Sequence, residues 1–363
     1  MIEPKSEFER EVRKHCEEFG GIGNFHIHGD RAYTRRDDYY KHIGKSISEL
    51  DRLTLPEKQR LTWALHKGPA FEAECIEERM TRLIEDSLKF GVGKLHTTVD
   101  VTHNTKFKSL EIAEKLKEKY KDRIDIKIGA YNPSGFKRKD LAPERFELFE
   151  EAARRADFIV ALGEKDRAKN HIGERQHNVY TLNLAYKLGK PVHYHVGQEN
   201  RPTDKGVETL LEDIALVQDI QLMVSPEEFP QIHMVHAISP SCKPRQEFEK
   251  IADNMQKRRV GLLCCPRAAI SMLQDENYVT PIHNSIAKVW DFAIRGIPSS
   301  LGVDNLDDIY VPATSPDVYD DAEDLANYLR FYNPRILAKV LCGAGLDDFD
   351  KGTIKRALFD GTA

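Results

Sequence analysis

Residues 190–198 read KPVHYHVGQ, and this stretch decides the fold prediction. Its branched, aromatic and imidazole side chains lie between Pro191 and Gly197, which is the composition and punctuation of a short buried strand. Charged amphipathic stretches precede and follow it, and seven further apolar runs alternate with such stretches. The eight predicted strands are 25–28, 94–99, 125–131, 158–162, 191–196, 232–236, 260–264 and 299–303.

Strands that alternate with helices predict an α/β protein, here a closed parallel (β/α)8 TIM barrel with helices outside. An open doubly wound sheet is the structural alternative. Neither GxGxxG nor GxxxxGK follows the first strand, which argues against a nucleotide-binding form of that alternative. We expect one domain over residues 1–363, with an insertion at about 31–65 and extra C-terminal helices at about 317–363.

Composition narrows the class of protein further. The chain has 363 residues and a formal net charge of −5, so it has no basic footprint for nucleic acid. No window reaches about 18 consecutive apolar residues, which argues against a membrane span, and the charged start lacks the apolar stretch of a signal peptide. Six cysteines without a CxxC pair are typical of reduced thiols. We expect a cytoplasmic protein with a small-molecule substrate and no nucleic-acid or membrane partner, and homo-oligomerisation is left open.

Histidine and aspartate stand at the ends of four predicted strands, as HIH at 26–28, HYH at 193–195, HMVH at 233–236 and GVD at 302–304. Active groups of a closed barrel sit at the carboxyl ends of its strands. Three imidazoles and one carboxylate from different strands can therefore meet at one point and bind a divalent transition metal with a position open to water. A pair of ordinary polar residues is the alternative interpretation of a single HxH motif.

Taken in order, FHIH, HYHVGQ, MVHAIS and LGVDN resemble the amidohydrolase superfamily, in particular its cytosine deaminase and adenosine deaminase branches. The segment GVGKLHTTVDVTHNT at 91–105 is similar to the second strand of bacterial cytosine deaminases, and KLGKPVHYHVGQ is similar to their fifth. The resemblance extends over residues 23–308 and so covers most of the chain.

This resemblance implies roles for individual residues. His26, His28, His195 and Asp304 match the ligands of one divalent metal ion, zinc or iron, and Asp304 also matches the residue that helps to activate the water. His236 matches the histidine that contacts the bound hydroxide or the tetrahedral intermediate. We expect His236, Asp304 and Gln198 to carry catalysis.

Three positions depart from the cytosine deaminase pattern. The glutamate that shuttles a proton in those enzymes is Gln198 here, and an amide cannot act as a general acid near neutral pH. The aspartate that follows the metal-binding one is Asn305, and Asn132 stands in the segment where a cytosine-reading glutamine is expected. We expect all three residues to contact the substrate through neutral amides.

Three histidines complete the expected substrate contacts. They are His96 on strand two and His171 and His177 after strand four. The alternative interpretation is that His96 is a core histidine and that the other two are solvated loop residues.

These features favour a metal-dependent hydrolase that cleaves a C–N bond of a small nitrogen-containing heterocyclic compound. A metal-bound hydroxide would attack the electrophilic carbon, in deamination or in amide-type hydrolysis. One alternative is a deaminase of an adenosine- or cytosine-like nucleobase or nucleoside. Another is a catalytically degenerate binding protein, which the missing acid at Gln198 suggests and the four presumed metal ligands argue against.

Overall fold

A computed structural model of the chain describes residues 3–51, 53–138, 140–198, 201–271 and 286–359. Eight parallel strands form one sheet in which each strand pairs with its neighbours in the sequence. All eight predicted strands are confirmed. They are β1 (Ile22–His28), β2 (Val92–Asp100), β3 (Asp125–Tyr131), β4 (Phe158–Ala161), β5 (Val192–Val196), β6 (Ile232–His236), β7 (Val260–Cys264) and β8 (Ser299–Leu301).

The first and last strands meet at Asp304, just beyond the end of β8. Its amide N–H donates to the carbonyl oxygen of His26 at 2.9 Å, and its own carbonyl accepts from the N–H of His28 at 2.7 Å. This parallel bridge closes the sheet into a (β/α)8 barrel and excludes the open doubly wound alternative. Closure also fixes the backbone of Asp304 between the two histidines of β1.

Gly302 permits this close approach. A Cβ atom at position 302 would lie 2.7 Å from the carbonyl oxygen of His26 and 2.9 Å from its Cβ, which is closer than non-bonded atoms can come. Any larger residue would push the end of β8 away from β1. The regular pairing of β8 ends at Leu301, before the predicted end at 303.

Amphipathic helices cover the outside of the barrel, as predicted. Leu110, Ala113 and Leu116, for example, form a buried stripe at three-residue spacing on one helix. The helices are α1 (Glu7–Glu18), α2 (Asp37–Tyr40), α3 (Ile47–Leu50), α4 (Leu55–Leu65), α5 (Ala73–Lys89), α6 (Lys108–Tyr120), α7 (Glu144–Arg155), α8 (Glu174–Leu188), α9 (Gly206–Ala215), α10 (Arg245–Lys257), α11 (Pro266–Ile270), α12 (Val289–Ala293), α13 (Val318–Leu329), α14 (Pro334–Cys342) and α15 (Asp348–Phe359).

Two regions extend the basic barrel. The predicted insertion after β1 contains the short helices α2 and α3 and the longer α4, which contributes side chains to the mouth of the barrel. The C-terminal region contains α13, α14 and α15, as predicted. That residues 1–363 form one domain stays a prediction. Within the described ranges, no helix has both the length and the apolar composition that crossing a membrane requires.

Candidate metal centre

Four side chains converge at the carboxyl end of the strands, as the sequence predicts for a metal site. Nε2 of His195 lies 3.0 Å from Nε2 of His26 and 3.3 Å from Nε2 of His28. Oδ1 of Asp304 lies 3.4 to 3.7 Å from the same three nitrogens. For metal–ligand bonds of about 2.1 Å, the edges of a tetrahedron are about 3.4 Å long, so these spacings suit a single ion.

The protein does not satisfy this cluster by itself. Oδ1 of Asp304 is buried and accepts no hydrogen bond from the described residues. An unpartnered carboxylate oxygen costs free energy in such a place unless a cation or a donor reaches it. Three imidazole nitrogens and one carboxylate oxygen are a donor set that suits zinc or iron. The residues therefore fit a divalent metal ion.

Burial holds these ligands in the protonation states that coordination requires. Desolvation lowers the pKa of His26 to about 4 and that of His28 to about 3, so both imidazoles are neutral at neutral pH. Desolvation alone would raise the pKa of Asp304. The surrounding imidazoles, led by His236, outweigh that effect and hold the pKa of Asp304 well below its usual value. Neutral imidazoles and an ionised carboxylate are the forms that bind metals.

Each histidine of β1 is oriented by a contact at its other ring nitrogen. Nδ1 of His28 lies 2.8 Å from Oγ1 of Thr98, and Nδ1 of His26 lies 3.2 Å from Nδ1 of His193. When Nε2 of a neutral imidazole binds a metal, the proton is on Nδ1. Both histidines then donate from Nδ1, and Thr98 and His193 are positioning residues that accept these hydrogen bonds.

His236 and Asn305 approach the second oxygen of Asp304. Nε2 of His236 lies 3.7 Å from Oδ2 of Asp304, and Nδ2 of Asn305 donates to the same oxygen at 2.8 Å. His236 and Asp304 have φ values of 72° and 64°, which non-glycine residues rarely adopt. Such strain is found at functional sites where the surrounding structure enforces it. For Asp304, the backbone hydrogen bonds that close the barrel hold the residue in this conformation.

An open pocket lies above this cluster, with about 700 Å³ of empty space when the open solvent at its mouth is included. Gln198 and Asn305, two of the residues predicted to contact substrate, line it. Nε2 of Gln198 donates to Oε1 of Glu164 at 2.8 Å. An ionised carboxylate can only accept hydrogen bonds, so the amide atom that faces Glu164 is Nε2. Oε1 of Gln198 is therefore left to accept a hydrogen bond from a ligand.

Two of the predicted substrate contacts instead hold a loop together. His171 and His177 do not line the pocket, and they are not solvated loop residues either. The Nδ1 atom of each lies 2.8 Å from a different oxygen of the buried Asp166. Asp166 also accepts the backbone N–H of Phe136 at 2.8 Å. The sequence placed both histidines after β4 correctly but did not reveal that a nearby aspartate would bind them.

Asn132 and His96 also lie away from the pocket. The side chain of Asn132 donates to the carbonyl of Gly135 at 2.9 Å and accepts from Ser134, and so it stabilises the turn after β3. His96 lies two residues before Thr98 on β2 and packs edge-to-face on Phe25 with ring centroids 5.2 Å apart. Its position inside the barrel, below the metal cluster, corresponds to the core-histidine alternative.

The sequence interpretation did not single out several residues that line the pocket, among them Arg31, Lys58 and Tyr131. Tyr131 ends β3 and packs against His28 and His195 with ring centroids 5.3 and 5.4 Å away. Arg31 and Tyr131 could have been found, because they are at or just beyond a strand end, where barrel active sites lie. Lys58 had no such signal, because it belongs to the insertion.

Comparisons with known proteins agree with this architecture. No protein-family model matches the chain. A Haemophilus influenzae protein described as uncharacterized is 24% identical over 279 residues, which are 77% of this chain and 92% of that protein. The structure of 5-methylcytosine deaminase from Klebsiella pneumoniae, liganded with 5-fluorocytosine, has a TM-score of 0.71 at 18% identity and covers 94% of this chain and 75% of its own.

Two further solved structures show the same barrel. N-isopropylammelide isopropylaminohydrolase from Burkholderia multivorans has a TM-score of 0.62 at 16% identity, covering 93% of this chain and 75% of its own. Arabidopsis ADAL complexed with IMP has a TM-score of 0.58 at 14% identity, and the match covers 95% of this chain and 97% of that one. The chain therefore has the same barrel fold as these solved structures.

Proposed function

We propose that this protein is a metal-dependent hydrolase that cleaves a C–N bond of a small, nitrogen-containing heterocyclic compound. The observation that carries the proposal is the cluster of His26, His28, His195 and Asp304, whose ligand atoms have the spacing of one coordination sphere. The cofactor is one divalent ion, zinc or iron. The reaction is a deamination or an amide-type hydrolysis.

A divalent ion held by these four residues would supply Lewis-acid chemistry and make an attacking water molecule more acidic. Oδ2 of Asp304 would accept the proton of that water, because Oδ1 faces the three ligand nitrogens. Asn305 donates to Oδ2 and fixes the rotation of the carboxylate. Asp304 can then pass the proton to the leaving nitrogen.

His236 and Gln198 act on the substrate. Nε2 of His236 lies on the Oδ2 side of Asp304, where it can donate to the oxygen that gains negative charge as the carbon becomes tetrahedral. Gln198 offers its Oε1 atom to an N–H group of the ring, since Glu164 holds its amide nitrogen. It orients the substrate and takes no part in proton transfer, because an amide has no suitable pKa.

The structural neighbours support this class of reaction. They include deaminases named for 5-methylcytosine and guanine, and an isopropylaminohydrolase of N-isopropylammelide. Enzymes that act on C–N bonds of nitrogen heterocycles are thus built on this barrel. The change from a glutamate to Gln198 separates the present chain from the pattern of the cytosine deaminases, so we do not propose cytosine as its substrate.

The test combines metal analysis with a substrate screen. Protein reconstituted with Zn²⁺ or Fe²⁺ should bind about one equivalent per chain. A panel of pyrimidines, purines and triazines is then followed by mass spectrometry and by ammonia release. Ammonia with an intact ring indicates deamination, and two organic fragments indicate cleavage of an amide or a ring substituent.

A matched pair of substitutions provides the control. Asp304→Asn should abolish metal binding and turnover, whereas Asp308→Asn, the same change at another buried aspartate, should retain the metal. A folded preparation that binds neither metal would refute the proposal. Stoichiometric metal without turnover of any ring compound would favour the degenerate binding protein instead.

A further inference from the structure

Three cationic residues line one part of the pocket and take no part in the proposed chemistry. They are Arg31, Lys58 and Lys165. Helix α4, which carries Lys58, is attached to the barrel by a 2.6 Å hydrogen bond between Thr62 and the hydroxyl of Tyr310. Nζ of Lys165 donates to the carbonyl of Gln59 at 3.4 Å. The ammonium group of Lys165 therefore lies beside the turn of α4 that carries Lys58.

The arginine and the two lysines differ in how their charges are balanced. Arg31 forms a two-pronged ion pair with Asp100, with distances of 2.7 and 2.8 Å. For Lys58 and Lys165, none of the described carboxylates lies within 4 Å of the ammonium nitrogen, although Lys58 is only 5% exposed. An ammonium group that lines a pocket and has no carboxylate at ion-pair distance is suited to an oppositely charged ligand.

The acidic group that acts most on Lys58 is a poor counter-ion. Asp308 lies beyond ion-pair distance, and its Oδ1 accepts the backbone N–H groups of Tyr310 and Val311 at 2.8 and 2.9 Å. Burial raises the pKa of Asp308 to about 7, so its negative charge is incomplete at neutral pH. Burial also lowers the pKa of Lys165 to about 8, and the nearby charge of Arg31 contributes to this shift.

We propose that the substrate of this site carries an anionic substituent, a carboxylate or a phosphate, that binds between Lys58 and Lys165. This inference rests on the proposed function, because it places the anion in the pocket of the same metal cluster. A divalent ion keeps one positive charge after pairing with Asp304, and the two lysines add to it. The apolar side chains of Leu55 and Leu162 also line the pocket and suit the faces of a ring.

Two matched pairs of ligands test the proposal by calorimetric titration of the metal-loaded full chain. Orotate is compared with uracil, which lacks the carboxylate, and adenosine 5′-monophosphate is compared with adenosine, which lacks the phosphate. The anionic member of at least one pair should bind roughly tenfold more tightly, or better, than its neutral partner. The pair that shows this preference identifies the anion as carboxylate or phosphate.

Variants of the lysines locate the effect. Lys58→Met and Lys165→Met should each reduce the affinity for the anion, relative to that for its neutral partner, roughly tenfold. Lys67→Met is the matched control, because Lys67 follows the same helix but is exposed and lies over the ring of Trp63. It should leave the preference for the anion unchanged.

Several outcomes would overturn the proposal. They are equal affinity for charged and neutral ligands, no detectable binding of either anion at millimolar concentration, and a preference that survives in both lysine variants, which would show that the anion binds the metal alone. Calorimetric titration measures ligand binding and does not require the protein to turn the ligand over. An anion preference without hydrolysis would therefore contradict only the proposed function, and hydrolysis of neutral rings without this preference would contradict only the present inference.

Discussion

Two layers of histidine fill the barrel, and a carboxylate distinguishes them. Strands β5 and β6 each contribute one histidine to each layer. The upper layer consists of His26, His28, His195, His236 and Asp304, and the lower layer consists of Phe25, His96, Phe158, His193 and His233. In the lower layer, no described carboxylate lies within 4 Å of an imidazole, and rings pack on rings, with 4.3 Å between the centroids of Phe158 and His193.

The difference shows what makes histidines into a metal site. Burial lowers the pKa in both layers, to about 4 for His233 below and for His236 above, so neutrality alone does not distinguish them. Only the upper layer has ligand atoms of a carboxylate and three imidazoles within one coordination sphere among the described residues. That carboxylate is in place because the barrel closes through the backbone of Asp304.

The largest expected effect separates the two layers directly. His195→Ala removes a ligand and should abolish metal binding and turnover. His233→Leu, of similar volume in the lower layer, should retain one equivalent of metal, because Nδ1 of His233 is buried without a partner and is not a ligand. Metal content by elemental analysis and folding by circular dichroism are the measurements. Equal metal loss in both variants would remove the distinction between the layers.

The next effect divides the upper layer itself. His236→Asn should keep the metal, because His236 is not one of the four ligands, and should reduce kcat roughly 10²- to 10³-fold by weakening the hydrogen bond to the developing oxyanion. Steady-state kinetics and metal content on the same preparation are the measurements. Loss of the metal from His236→Asn would instead make this residue a fifth ligand.

A smaller effect appears in the pH dependence of stability. Both layers hold imidazoles whose folded-state pKa lies below the unfolded value of about 6.5, so the unfolded chain binds more protons as the pH falls. The stabilisation that these neutral histidines give the metal-free protein should therefore be fully present above pH 6.5. The free energy of unfolding should then decrease between about pH 6.5 and 4, by about 1.4 kcal/mol per pH unit for each such histidine.

His233→Leu sharpens this prediction. It removes one of the lowered pKa values, that of His233 at about 4, and should make the slope of stability against pH shallower by roughly one histidine. The measurement is chemical denaturation at several pH values in the presence of a chelator. A slope identical to that of the wild-type chain would show that His233 does not contribute to the pH dependence.

The sequence predicted the upper layer better than the pocket walls. Strand periodicity and chain order were enough to place His26, His28, His195 and Asp304 at one end of the barrel, because topology alone brings strand ends together. Contacts that depend on loop conformation could not be predicted from strand periodicity and chain order. His171 and His177 bind Asp166, and Lys58 reaches the pocket only because α4 folds over the mouth.

His96 shows a second limit. Its place on β2 was predicted correctly, but its depth was not, because alternation along a strand gives the face of a side chain and not the layer that it occupies. The bulge of β1 between Asn24 and Ile27 changes the depth of neighbouring residues on that strand as well. A single sequence contains no rule for such an irregularity, so the layer of an inward residue has to be observed.

The smallest effect lies at the boundary between the layers, where neighbouring threonines of β2 face opposite ways. Oγ1 of Thr98 lies 2.8 Å from Nδ1 of His28, whereas Thr97 faces the outer helices beside Leu95 and makes only a 3.5 Å contact with a backbone carbonyl. Thr98→Val keeps the shape of the side chain but leaves the Nδ1 proton of His28 without an acceptor. Metal affinity should fall roughly tenfold.

Thr97→Val makes the same chemical change one residue away and should leave metal affinity as it is. Competition with a chelating indicator measures both variants on the same scale, and thermal denaturation of the metal-free forms separates an effect on the ligand from an effect on the fold. Equal affinity in the two variants would mean that the orientation of His28 comes from packing, with no contribution from the Thr98 hydroxyl. A loss of metal affinity in Thr98→Val alone would show that the Thr98 hydroxyl helps to orient His28 for metal binding.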